Sequence, residues 1–137
     1  MASLGRYLSG GAIALGAVVL LGCNDVGMRA FYMSPDQQGR RNWDSFPRDT
    51  PDIFAIAEIS TSVSKVDLTA RIKAKSVDGV PGGTVMWETQ GTATQGESNV
   101  SLQLEHLPTG WPLGKFDSEI LYEGDVLDDA SFEIVAP

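Results

Sequence analysis

A strict two-residue alternation between positions 66 and 75 constrains the fold of this chain more than any other feature of its sequence. Apolar side chains occupy every second position from Val66 to Ala74, and charged or hydroxyl side chains occupy the positions between them. This period is typical of a strand in an antiparallel sheet that has one buried face and one exposed face. Residues 99–105 repeat the alternation. The two segments predict an all-β protein.

Five further segments have the composition of strands, with less regular patterns. Residues 52–60 are almost continuously apolar, as expected of a strand covered on both faces. The other four segments are 29–33, 84–89, 115–122 and 131–135. Turn residues such as Pro35, Gly79 and Gly124 separate neighbouring segments, and the polar tract 89–99 is interpreted as a mobile hairpin tip. Seven short strands at this spacing predict an antiparallel β-sandwich with Greek-key connections, with an open barrel as the alternative.

The C-terminal third contains a tryptophan turn that leads into a hairpin. It reads Trp111-Pro112-Leu113-Gly114-Lys115-Phe116, passes a glycine turn at Gly124, and ends in Phe132-Glu133-Ile134-Val135. This pattern resembles the closing hairpin of many bacterial immunoglobulin-like domains, and Trp87 stands where such domains often place a core tryptophan. The resemblance covers roughly residues 54–135 and implies an immunoglobulin-like fold. It implies no particular function, because one fold serves many functions.

The N-terminal residues have the organisation of an export signal. Arg6 supplies a positive charge, residues 12–21 form an apolar run, and Leu20-Leu21-Gly22-Cys23 closes that run. This arrangement resembles a bacterial lipoprotein signal peptide. The resemblance implies that residues 1–22 are removed and that the thiol of Cys23 receives a diacylglycerol. Residues 23–137 are then the mature domain, with 23–28 as its anchor and linker, and two or three acyl chains hold it firmly at a membrane.

Two other interpretations of this N-terminus stay open. An ordinary secretory signal peptide could end beside Cys23, or the apolar run could be a buried N-terminal helix of a cytosolic protein. A transmembrane helix needs about 20 apolar residues, whereas this run is interrupted by Gly16 and is followed by Asn24 and Asp25. In enterobacterial lipoproteins an Asp directly after the lipidated cysteine favours the inner membrane, so Asn24 favours the outer membrane.

The predicted mature chain is acidic. Nine Lys and Arg residues oppose 18 Asp and Glu residues once Arg6 is subtracted from the ten in the full sequence. Nucleic acids and anionic lipid surfaces repel such a chain, so we expect no nucleic-acid partner. From Glu105 onward eight acids are opposed only by Lys115, which indicates a solvated acidic surface or, alternatively, a docking face for a basic partner or a cation. The single cysteine excludes an intramolecular disulfide.

Two aromatic residues, Trp43 and Phe46, lie among the arginines Arg40, Arg41 and Arg48 in an irregular segment from 35 to 51. Aromatic residues and arginines together are typical of interface hot spots. We therefore predict a partner-binding surface in this segment. The alternative is that both rings cap one end of the sandwich. The expected partners are the membrane, through the N-terminal lipid, and an unknown protein of the cell envelope.

Three aspartates, Asp125, Asp128 and Asp129, form the densest acidic cluster and are candidate calcium ligands. A plain acidic turn is the alternative, because Val126 and Leu127 interrupt the cluster.

No recognisable catalytic spacing surrounds His106, the only histidine, which is interpreted as a loop residue. Trp111 is either a sugar-stacking platform or a structural part of its turn. The sequence thus predicts a non-enzymatic, lipid-anchored binding or scaffold module of the cell envelope. The alternative is a calcium- or carbohydrate-binding module of the envelope. No cofactor is expected beyond the covalent lipid on Cys23.

Overall fold

Strands account for all the regular structure in residues 26–137, the part of the chain that the computed structural model describes. The six strands are β1 (Val26–Ser34), β2 (Ser45–Pro47), β3 (Phe54–Val77), β4 (Val85–Gln103), β5 (Gly114–Tyr122) and β6 (Asp125–Val135). The all-β prediction is confirmed, although the strands number six rather than seven. The predicted signal peptide and Cys23 lie outside the described residues. Residues 26–28, expected in the linker, are the first residues of β1.

No helix within residues 26–137 is long and apolar enough to cross a membrane.

The long strands β3 and β4 pair with each other and organise the whole sheet. β3 has 24 residues, which would span about 80 Å if straight, whereas a domain of this length has a radius of gyration of about 13 Å. The strand must therefore bend, and its register with β4 is interrupted between Thr61 and Lys65. The segments 52–60 and 66–75, expected as separate strands, are thus the two halves of β3.

The two halves of β3 have different neighbours. β1 pairs antiparallel with the first half, and β5 pairs antiparallel with the second half. β6 follows β5, and β2 pairs with β6 in parallel at the far edge. β1 also contacts β6, although the two strands are not paired. The six-stranded sheet is therefore curled, so that its two halves face each other.

The start and the end of β4 show how tightly the sheet curls. The indole Nε1 of Trp87 donates a hydrogen bond to the carbonyl oxygen of Glu105, over 3.0 Å. A Cβ added to Gly91 would lie 2.9 Å from Cγ1 of Val100 and 3.3 Å from Cγ of Leu102. Gly91 thus lets the two halves of β4 approach closely, because any side chain there would force Val100 to shift. One continuous hydrophobic core fills the space between the halves.

The polar tract 89–99 is part of β4 rather than the mobile hairpin tip expected from the sequence. Its inward positions carry small side chains, including Gly91 and Ala93, and Ala93 is almost completely buried. Its outward positions carry polar residues such as Thr92 and Thr94. The alternation is therefore one of side-chain size, which a search for large apolar residues does not detect.

The bend gives the molecule two distinct ends. At the bend end lie residues 61–65 and 94–97, together with Val26, which pairs with Thr61. At the loop end lie the connections 35–44, 48–53, 78–84 and 104–113. The turn between β5 and β6 is level with Leu68, which pairs with Tyr122, and so stops short of the bend.

Candidate contact surface

The segment predicted to bind a partner is held against two strands by its backbone. The N–H of Trp43 donates to the carbonyl oxygen of Met33 over 3.0 Å, and the carbonyl oxygen of Asp44 accepts from the N–H of Glu133 over 2.9 Å. The N–H of Arg48 donates to the carbonyl oxygen of Val135 over 2.8 Å. Sequence reasoning treated residues 35–51 as irregular and missed β2, because its parallel partner β6 lies at the other end of the chain.

The two aromatic side chains of this segment have different environments. Phe46 is completely buried, and its ring packs edge-on against Phe132 with the centroids 5.8 Å apart. Trp43 is only partly buried, and its ring lies 5.5 Å from that of Phe46. Phe46 therefore cannot contact a partner, which corrects its assignment as a binding residue. The Phe46 ring instead packs into the core, which agrees with the alternative expectation that it caps one end of the sheet.

The three arginines of the segment are all exposed. The guanidinium carbon of Arg41 lies 5.6 Å from the centroid of the Trp43 ring, within the range of a cation–π interaction. Nη2 of Arg48 donates to the carbonyl oxygen of Thr109 over 3.4 Å. We use the name contact surface for these three arginines, Arg40, Arg41 and Arg48, together with the partly buried Trp43.

Asp36 fixes the start of the loop that carries this surface. Its carboxylate oxygens accept hydrogen bonds from the N–H groups of Gln38 and Arg40, each over 2.9 Å. The bond from Gln38, together with that from Arg40 and the positive charges of Arg40 and Arg41, holds the pKa of Asp36 below its ordinary value. The positions of the two arginines therefore follow from a local turn that the carboxylate stabilises.

Gly39 lets this loop lie flat on the sheet. Its φ is 67°, and a Cβ there would lie 2.7 Å from the hydroxyl of Tyr32 and 3.0 Å from Cγ2 of Ile56. The Tyr32 hydroxyl lies 2.8 Å from the carbonyl oxygen of Gly39 and 2.9 Å from Oε2 of Glu58. Burial, the hydrogen bond to Glu58 and its charge raise the pKa of Tyr32 to about 12. Tyr32 and Glu58 thus clamp the loop onto the outer face of β3.

Asp44 lines two shallow cavities, one of which also includes Trp43 of the contact surface. One has a volume of about 320 Å³ and is lined by Asn42, Trp43 and Pro47 among others. The other has a volume of about 260 Å³ and is lined by Asp44, Lys75 and Lys115 among others. The sequence alone does not place these lysines here, because β3 and β5 are joined to the segment through the long-range pairing of β5 with β6 and of β6 with β2.

His106 and Trp111 form a second cluster at the loop end. Nε2 of His106 lies 3.1 Å from Oδ1 of Asp52, and its ring lies 4.7 Å from that of Trp111. Trp111 is 2% exposed, and its Nε1 donates to the carbonyl oxygen of Thr50 over 2.7 Å. A buried indole cannot stack on a sugar, so the structural alternative is correct for Trp111. The cluster ties the connection 104–113 to residues 50–52.

The three candidate calcium ligands do not converge. Asp128 and Asp129 are neighbours in β6 and therefore point to opposite faces of the sheet. Asp125 pairs with Tyr122 at the turn. Burial raises the pKa of Asp128 above its ordinary value. Among residues 26–137, no three His, Cys, Asp or Glu side chains form a group that could hold a metal ion, so the geometry does not support the calcium assignment.

Comparisons with known proteins identify similar folds only. No protein-family model matches the chain, and no curated protein matches it. Its structure is similar to part of an alkylpurine DNA glycosylase, AlkC, from Pseudomonas fluorescens, solved bound to DNA containing an abasic site analogue. The TM-score is 0.54 and the identity 13%, over 82% of this chain and 31% of that one.

Two glycoside hydrolases show a comparable similarity. The β-glucosidase DesR from Streptomyces venezuelae gives a TM-score of 0.53 at 9% identity, over 80% of this chain and 15% of its own. A β-D-glucoside glucohydrolase from Trichoderma reesei gives 0.50 at 7% identity, over 80% and 19%. The chain thus spans less than a third of each of these proteins. At such identities the likeness extends to the fold of one part of each protein and to nothing more.

Proposed function

We propose that this chain is a lipid-anchored, non-enzymatic binding module of the cell envelope, built on an immunoglobulin-like β-sandwich. The observation that carries the proposal is the contact surface, which presents a partly exposed tryptophan beneath an arginine on a backbone fixed by hydrogen bonds. Surfaces of this composition supply much of the binding energy at protein interfaces. A fixed backbone lowers the entropy lost on binding.

The sandwich assignment is supported by the curl of the sheet. The two halves of β3 and β4 enclose one core, and a short strand near the N-terminus pairs in parallel with the last strand. The tryptophan turn at Trp111 and the closing hairpin carry the resemblance to immunoglobulin-like domains. The Trp111 side chain lies in the core beside Trp87, with their ring centroids 6.0 Å apart.

The anchor is proposed from residues 20–23. Lipidation of Cys23 would confine the domain to a membrane surface, and Asn24 after it favours the outer membrane. Confinement raises the local concentration of the module toward any partner at the same membrane. The role proposed for the contact surface is to bind an envelope protein that is already close by.

The side chains of the contact surface indicate the chemistry of the partner. Arginine guanidinium groups pair bidentately with carboxylates, and a partly exposed indole packs against apolar or cationic side chains. Residues 36–52 carry three arginines and the aspartates Asp36, Asp44, Asp49 and Asp52, so the segment that carries the contact surface has no net positive charge. We expect recognition by short-range pairing rather than by long-range attraction to an acidic partner.

Site-directed photocrosslinking in the native host tests this proposal. A photoreactive residue at Asn42, which is exposed beside Trp43, should give one discrete crosslinked species in envelope preparations. The matched control is the same residue at Ser62 on the bend end, which should not give that species. The species should disappear when Trp43→Ala is added, provided that the circular dichroism spectrum is unchanged.

The anchor requires its own measurement. Intact-mass analysis of protein from host membranes should show a chain that starts at Cys23 and carries acyl mass, and Cys23→Ala should lack that mass. An unmodified chain in the soluble fraction would contradict the anchor. Equal crosslinking from Asn42 and Ser62 would contradict the contact surface.

A further inference from the structure

We propose that the bend end of the sheet rests on the lipid headgroups, so that the contact surface points away from the membrane. This inference rests on the lipid anchor of the proposed function. The residues concerned are Thr61–Lys65 and Thr94–Glu97, and the surface they meet is that of the bilayer holding the acyl chains of Cys23.

The length of the chain between anchor and domain sets the geometry. Val26 is the third residue after Cys23, and three peptide units span at most about 11 Å. Val26 is buried and pairs with Thr61, so its position relative to the bend is fixed by the sheet. A lipidated Cys23 therefore holds the bend end within about 11 Å of the headgroups.

The side chains at the bend suit a polar lipid surface. Ser62, Ser64, Thr94 and Gln95 are exposed and offer neutral hydrogen-bonding groups to phosphate and glycerol oxygens. The one carboxylate among residues 61–65 and 94–97, that of Glu97, is paired with Arg29 over 3.2 Å. No unpaired negative charge of these residues therefore opposes contact with lipid phosphates.

Other faces of the domain carry more negative charge. The outer face of the second half of the sheet presents Glu88, Glu119 and Asp129 in one row across β4, β5 and β6, with Arg71 among them. The turn at Glu123 and Asp125 is level with Leu68 and therefore lies further from the lipid than the bend. On this face Arg71 pairs with Glu88 over 3.0 Å and Lys73 with Glu119 over 3.2 Å, so among residues 26–137 the carboxylate of Asp129 is the one of the row without a cationic partner. A domain lying on this face would bring that unpaired carboxylate against the headgroups, whereas the bend end has none.

β1 sets the distance between the membrane and the contact surface. It leads away from the anchor for nine residues, from Val26 to Ser34, a length of about 26 Å. The N–H of Trp43 is bonded to Met33 near the far end of this strand. The contact surface therefore lies about 26 Å further into the compartment than the bend when β1 stands along the membrane normal.

Paramagnetic relaxation measured by nuclear magnetic resonance tests the orientation. The mature chain, starting at Cys23, is coupled through that thiol to a maleimide phospholipid in phosphatidylcholine nanodiscs with gadolinium-chelate headgroups. Amide signals of residues 61–65 and 94–97 should be lost, whereas those of residues 40–48 should be unaffected. Uniform loss along β1, or loss concentrated at residues 40–48, would show that the domain lies on its side or on its loop end and would overturn the inference.

Two control proteins sharpen the experiment. A flexible Gly/Ser insert of about 12 residues between Asp25 and Val26, which spans about 20 Å on average, should abolish the gradient. Cys23→Ala, which cannot be coupled, should show no selective loss. Because the tether is made chemically, this result does not depend on natural acylation, which the intact mass of the host protein reports separately.

Discussion

Replacement of Phe46 by alanine tests whether β2 belongs to the core. The ring is 0% exposed and contacts both Trp43 and Phe132. Removing a fully buried phenylalanine costs the transfer free energy of the ring and leaves a cavity, which together destabilise a protein by about 3–5 kcal/mol. We expect Phe46→Ala to lower the free energy of unfolding by this amount.

The expected change is large enough to measure by two methods. An unfolding entropy of about 2.1 cal/mol/K per residue, over the residues of the described domain, converts 3–5 kcal/mol into a fall in Tm of about 13–21 °C. Urea denaturation followed by far-ultraviolet circular dichroism gives the free energy directly, since the signal comes from strands. An unchanged m-value would show that the native and unfolded states have kept their compactness.

Trp43→Ala is the matched control, because its ring is adjacent but partly exposed. We expect it to cost about 1–2 kcal/mol, in proportion to the smaller apolar area it removes from the core. The reasoning fails if the two variants lose equal stability, or if Phe46→Ala costs less than about 1 kcal/mol. Equal losses would mean that Trp43 and Phe46 do not differ in burial. A cost below this limit for Phe46→Ala would mean that β2 is not part of the cooperative structure and that Phe46 is available to a partner after all.

Three further predictions concern the core and the loop clamp. Gly91→Val should lower the free energy of unfolding by at least about 1–3 kcal/mol in urea denaturation, because its Cβ would lie 2.9 Å from Val100; an unchanged midpoint would contradict the close approach of the two halves. Ser118→Ala should leave Tm unchanged or raise it, since the buried Ser118 hydroxyl has no hydrogen-bond partner among residues 26–137, and a fall of several degrees would refute this. The raised pKa of Tyr32 stabilises the fold below pH 10 and this contribution is lost as the pH rises toward about 12. Glu58→Gln should move the Tyr32 titration, followed by nuclear magnetic resonance, back toward pH 10, and no movement would exclude the clamp.

The sequence predicts where most strands lie, but it does not show which strand segments are continuous with each other. The alternation from Val66 onward and the apolar run 52–60 both lie in β3. Nothing in the sequence shows that these segments are one bent strand, because Ser62, Val63 and Ser64 between them are compatible with either a loop or a strand. A two-residue alternation identifies the buried and exposed faces of a strand. Where the strand ends is decided by its pairing with β4.

The sequence shows which residue types form the contact surface, but it does not show which of their side chains are exposed. Trp43 and Phe46 look equivalent in the sequence, yet parallel pairing with β6 turns Phe46 inward and leaves Trp43 partly exposed. That pairing joins Ser45 to Glu133, and no local pattern reports a contact of such range. Lys75 and Lys115 near Asp44 depend on the same long-range closure.

The parallel pairing of β2 with β6 also bears on how the chain reaches its folded state. The hairpin of β3 and β4 joins neighbouring segments and can form early, whereas β2 must wait for a strand about 90 residues further along the chain. Until the last residues of β6 are available, Phe46 lacks its edge-on contact with Phe132, and Asp44 and Arg48 lack their backbone hydrogen bonds to β6. A chain that emerges from its N-terminus first therefore fixes β2 in its final step, and truncation of β6 should release β2 while leaving the central hairpin able to form.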